Sequence, residues 1–137
     1  MAELQDNYLF RTKAKNGQWH IGLLACISNG ECCIRDSENR IWYTDTDSLC
    51  QCSGLKDIND VLMFEEDIIR TEDGQIGVVR YGEFDGNNGR ILGWHVEWKS
   101  ENAKFNRQDI LYWQRQRRIE VIGNTFENRD ILEKAAC

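Results

Sequence analysis

The densest grouping of metal-ligating residue types lies between positions 20 and 52, where His20, Cys26, Cys32, Cys33, Cys50 and Cys52 fall in one stretch. Zinc favours thiolate and imidazole ligands, and its sites carry ligand pairs at characteristic spacings such as C-x2-C. No such pair occurs here. Cys50 and Cys52 are one residue apart, and the adjacent Cys32 and Cys33 project to opposite faces of a strand. The N-terminal MAELQDNYLFRTKAK lacks the charged-then-apolar layout of a signal peptide. The six cysteines, Cys137 included, therefore read as reduced, mostly buried thiols, and no metal or other cofactor is expected.

Covalent catalysis needs a nucleophile beside a base and an orienting group. The two histidines, His20 and His95, each follow a tryptophan and belong to no nucleophile motif. Both read as surface or edge residues, and no catalytic residue is assigned. Gly86 and Gly89 belong to a hairpin rather than to a phosphate-binding strand–loop–helix unit. The carboxylates of Asp57, Asp60, Glu65 and Glu66 read as solvated loop charges, whereas Asp67 is expected to accept from backbone N–H groups of a turn. The basic concentration is KFNRQDILYWQRQRR, residues 104–118, where Lys104, Arg107, Arg115, Arg117 and Arg118 outweigh Asp109 and surround Tyr112 and Trp113. Cations interleaved with aromatics can hold single-stranded nucleic acid by charge and stacking. The simpler reading puts Trp113 in the core and pairs the arginines with acidic groups of this chain or of a partner.

The elements that must position these groups are mostly strands. At 137 residues and 41% hydrophobic, with five Trp, the chain is long enough for one domain or two very small ones with a real core. The formal charge of −6 disfavours general nucleic-acid binding. No apolar run approaches the roughly 20 residues of a membrane-spanning helix, and a cytoplasmic location is expected. Asn16-Gly17, Asn29-Gly30 and the DSEN turn at 36–39 divide the first fifty residues into an antiparallel meander of four short strands. Residues 47–66 look polar and irregular, and the lobes are divided as 1–58 and 59–137. Asp73-Gly74 and the Gly86–Gly89 turn then mark further hairpins. Alternation places Trp94, Val96 and Trp98 on one face of a strand, with His95, Glu97 and Lys99 on the other. A strand or helical turn follows at DILYW. The fold class is mainly β (β-rich α+β), with a small SH3-like β-barrel from Asp67 onward closed by IEVI. Gly123-Asn124 breaks that last strand, Asn128 caps a short terminal helix, and Asp130 suits its first turn.

Two stretches, IEVIGNTFENRDIL at the end and SGLKDINDVLMFEEDIIR at residues 53–70, resemble conserved segments of the YopX family of phage and prophage proteins, and FRTKAKNGQWH resembles its N-terminal pattern. The resemblance implies a two-part, mostly β protein in a bacterial host, capable of self-association and without an established catalytic activity. Arg129 stands where the family often has Pro, Glu66 where it often has Gly, and Cys50 and Cys52 where it has Gly and an aromatic. If the turn at position 66 needs a positive φ, Glu there costs about 1 kcal/mol. The reading is a non-enzymatic interaction or self-assembling module, a possible homo-oligomer with an unidentified protein partner. The alternative is an accessory nucleic-acid-binding module using Lys104, Arg107, Arg115, Arg117 and Arg118.

Overall fold

The computed structural model describes residues 8–86, 88–100, 103 and 106–135. The chain forms two compact units, Met1–Gly54 and Leu55–Cys137.

The first unit is built on β1 (Leu9–Lys13), β2 (Trp19–Ser28), β3 (Glu31–Arg35), β4 (Ile41–Asp45) and β5 (Cys50–Lys56), the last of which carries the chain across the division. Strands β1 to β4 are the expected meander, and the sheet order is β4-β3-β2-β1-β5 with β6 (Leu62–Phe64) beyond. Local chemistry sets the hairpins. Asn29 and Gly30 both adopt positive φ, 50° and 81°, which a two-residue turn between right-twisted strands requires. The stretch 47–66, expected to be irregular, instead supplies β5 and β6. Its pattern is masked because β5 is held by pairing with β1, Phe10 opposite Gln51 and Arg11 opposite Cys50, rather than by its own β-propensity. Thr12, fully buried, shares hydroxyl hydrogen bonds with Thr44 (2.9 Å) and Ser48 (3.2 Å), so this sheet buries a small polar cluster with its partners satisfied.

The second unit contains β7 (Asp67–Thr71), β8 (Ile76–Gly86), β9 (Gly89–Trp98), α1 (Ile110–Arg115), β10 (Ile119–Asn124) and α2 (Arg129–Ala135). Its antiparallel sheet has the order β10-β7-β8-β9 and does not close into a barrel. The expected SH3-like closure fails because the chain after β9 turns into α1 instead of a strand. Asp109 caps that helix, its side chain accepting from Leu111 N. Beside β9 there is only the isolated bridge His95–Asp109 and the bond from Val96 N to Gln108 O. Ile110 and Trp113, three residues apart on one helical face, pack over Ile69, Val79, Val96 and Ile119. Trp94 and Trp98 pack against the same cluster, as the alternation of β9 predicts. Gly77 is required here, since a Cβ would lie 2.4 Å from Val96 and 3.1 Å from Trp98.

At the end of the chain, β10 runs through Gly123-Asn124 instead of breaking there, and it absorbs Ile122 as a bulge. Asn128 does not turn its side chain forward onto α2. Its Oδ1 accepts from Asn124 N at 3.1 Å, in the space a Cβ on Gly123 would occupy, and Asn124 Oδ1 accepts from Phe126 N and Glu127 N. Asp130 lies in the first turn of α2 as expected.

Candidate functional site

The basic segment is spread around α1 and its flanks. Lys104 lies outside the described residues. Arg107 places its guanidinium 4.5 Å from the centroid of Tyr112, and its carbonyl accepts from the indoles of Trp98 (3.0 Å) and Trp113 (2.7 Å). Arg117, at φ 52°, donates to Ile58 O at 3.0 Å. Arg118 pairs with Glu72 at 3.1 Å and lies over the Trp113 ring. Arg115 is exposed in the last turn of α1, where a cation complements the helix dipole. Trp113 itself is buried. The segment therefore carries its aromatic ring in the core and directs three of its cations onto groups of the same unit.

The histidines are not surface residues. His20 is 7% and His95 8% exposed. His20 stacks on Trp42 with ring centroids 3.9 Å apart, and His95 stacks on Phe84 at 4.9 Å. His95 Nδ1 lies 3.1 Å from Gly93 O and must carry the ring proton to donate to it. Alternation missed this because position 95, on the side away from the tryptophans, is covered by Phe84 from the neighbouring strand.

The carboxylates separate by role. Asp57, read as a solvated charge, is buried: its Oδ1 accepts from Asn59 N (2.8 Å) and Val61 N (2.9 Å), and its Oδ2 from Val121 N (2.8 Å). Asp67 accepts from Phe64 N, the backbone role expected of it. Glu66 adopts φ 72° and is not free either. Its carboxylate pairs with Arg80 and accepts from Thr125 Oγ1 at 2.7 Å, while its carbonyl accepts from Thr125 N. Arg80 also reaches Glu97, which pairs with Lys99. The hydrogen bond from Lys99, aided by its charge and that of Arg80, holds the Glu97 carboxyl below the usual range against the opposing effect of partial burial. Glu66, Arg80, Lys99 and Thr125 rim a cleft of about 340 Å³ with Arg129 and Glu133. The only advance signal for it was Glu at a position suited to Gly.

Among the thiols, Cys32, Cys50 and Cys52 are buried and outside any disulfide, whereas Cys26 and Cys33 are joined as a disulfide, which overturns the reading of uniformly reduced cysteines. A bulge is the cause. Leu24 faces Ile34 and Cys26 faces Cys33, leaving Ala25 as the extra residue. Regular alternation would have put Cys26 on the side of Leu24; the bulge turns it to the side of Cys33. Among the described residues, no three or more His, Cys, Asp or Glu side chains gather as a metal site requires.

The remaining candidate is a surface. Strand β7 pairs with β8 only at Ile76, Gly77 and Val78, whereas β8 and β9 pair along their whole length to Gly86 and Gly89. The outer half of the hairpin extends past β7. Along the face that carries Val79 and Val96 in the core, the next positions are Tyr81 opposite Trp94, then Glu83 opposite Leu92. Tyr81 is 51% and Leu92 66% exposed.

An antiparallel β protein with this plan, ending in a strand, an Asn-stapled turn and a short helix, defines a two-unit β class. The chain belongs to the YopX family, whose YopX protein model matches residues 10–133. No curated protein matches it. Among the described residues no helix is long and apolar enough to cross a membrane.

Proposed function

We infer that this YopX-family chain is a non-enzymatic interaction module that self-associates through the outer β8–β9 hairpin. The observation that carries the reading is the continuation of the core face past the core, as Tyr81 and Leu92. Exposed apolar groups in register on a sheet are a common basis of association between chains, and β8 extends beyond its pairing with β7. A second copy offers the same strip, which suits a two-fold contact. The non-enzymatic part of the reading is supported by His20 and His95, both packed against aromatic rings, and by carboxylates committed to backbone or arginine partners. Light scattering of the full chain, mass 16.0 kDa, tests it. A mass above the monomer that falls to the monomer in Tyr81→Glu/Leu92→Glu is expected, and a strict monomer at high concentration would contradict the reading.

Accessory nucleic-acid binding through Arg107, Arg115, Arg117 and Arg118 has less support, because three of these cations already contact Tyr112, Ile58 and Glu72. Salt-dependent shifts of single-stranded or duplex oligonucleotides, abolished by replacing Arg115, Arg117 and Arg118 with Ala, would favour it instead.

A further inference from the structure

We propose that Cys26 and Cys33 form a reversible dithiol–disulfide couple that exchanges with small monothiols of the glutathione type, with Cys26 as the sulfur that is attacked. Four observations lead there. The two residues stand directly opposite in the β2–β3 ladder with Cα atoms 5.1 Å apart, inside the range a disulfide spans. That pairing exists only because Ala25 is bulged, and bulges re-aim side chains at specific places. Cys33 is 4% exposed, but Cys26 is exposed and lines an open cleft of about 700 Å³ with Lys13, Lys15 and Asn29. A tripeptide thiol can therefore reach Cys26 and not Cys33. Finally, the bond joins neighbouring strands only seven positions apart. So short a loop removes less freedom from the unfolded chain than a long-range link would, and the β2–β3 ladder pairs the two strands without it, so the folded dithiol form remains accessible.

The chemistry balances as ordinary exchange. A thiolate of the small thiol attacks Cys26 Sγ; the Cys26–Cys33 bond breaks and Cys33 leaves as a thiolate that takes up a proton. A second small thiolate then attacks the small-thiol sulfur of the mixed disulfide and expels Cys26 as a thiolate. One protein disulfide is reduced to two thiols, and two small thiols are oxidised to one disulfide. The reverse sequence re-forms the bond. Cys32, Cys50 and Cys52 are buried and stay outside the exchange while the chain is folded.

The test uses the full chain carrying Cys137→Ser, equilibrated across a series of reduced-to-oxidised glutathione ratios, quenched with acid, alkylated and mapped by mass spectrometry. The linked Cys26–Cys33 peptide should give way progressively to the dithiol form as the ratio rises, with Cys32, Cys50 and Cys52 remaining thiols and tryptophan fluorescence remaining native. In Cys33→Ser, the glutathione adduct should accumulate on Cys26. A pair that stays in one state across the series, a pair that opens only when the fluorescence reports unfolding, or an adduct that forms on a buried cysteine in its place would overturn the proposal. If Cys33→Ser does not fold, the wild-type chain quenched at early times supplies the same readout, since Cys26 must carry the transient adduct.

Discussion

Glu66 joins an unfavourable backbone to favourable side-chain contacts. At φ 72° a residue with a Cβ is destabilised by roughly 1 kcal/mol relative to Gly, yet its carboxylate holds Arg80 and Thr125. Because Glu66 and Arg80 are partly exposed, at 24% and 34%, solvent screening discounts the ion pair. Glu66→Gly therefore exchanges lost contacts for relieved strain, while Glu66→Ala loses the contacts and keeps the strain. Urea denaturation should place the Ala variant about 1 kcal/mol below the Gly variant; the reverse order would show that position 66 carries no strain. The resemblance to a Gly-bearing pattern raised the question of a positive φ at this position, and the structure answers it. The resemblance gave no sign of the partners, because Arg80 and Thr125 are distant in sequence. Asp36 permits a second test at this scale. The indole of Trp42, followed by the backbone N–H groups of Arg40 and Glu38, donates to its carboxylate and lowers its pKa from the ordinary 3.8. A depressed carboxyl stabilises the folded hairpin above the ordinary value, and that contribution fades as pH falls through the folded pKa. The Trp42 indole N–H resonance should accordingly titrate with a midpoint below 3.8, and Asp36→Asn should remove the titration.

Elements were legible where their signals were local. Asn16-Gly17, Asn29-Gly30 and the turn at 36–39 specify turns by the φ angles they tolerate, and β1 to β4 follow from them, as β7 and β8 follow from Asp73-Gly74. Most of the failures involve partners outside the segment itself. CQCSGLK becomes β5 because β1 pairs with it. DILYW takes the helical one of its two expected forms as α1, capped by Asp109, and leaves the sheet open where a closed barrel was expected. The bulges at Ala25 and Ile122 reset registers that simple alternation cannot anticipate. Asp57 shows how such distant links stabilise an element. It fastens the β5–β6 turn to β10 by accepting three backbone N–H groups from a buried position. Asp57→Ala leaves those donors unpaired and should destabilise the second unit by about 3 kcal/mol. Asp57→Asn, which keeps one acceptor oxygen, should cost less. Equal losses for the two variants, measured by denaturant unfolding of the full chain, would mean that the hydrogen bonds are not what holds the turn.

For the whole molecule, the family was readable from two quoted stretches and the mainly β class from the hairpins, but the surface was not. Tyr81 and Leu92 carry large side chains on the same alternation as the core positions Val79 and Val96. What makes them exposed is that Ile110, Trp113 and the rest of the core cluster pack over Val79 and Val96 and not over Tyr81 and Leu92, a fact of three-dimensional packing rather than of pattern. The central claim is that this extension associates with a second copy. Amide hydrogen exchange of residues 81–86 and 88–92, compared between dilute and concentrated protein, tests it most directly. Protection that rises with concentration in these residues, and is lost in Leu92→Glu, is the predicted result. Exchange there that is independent of concentration, while the core amides of Val79 and Val96 remain protected, would contradict it.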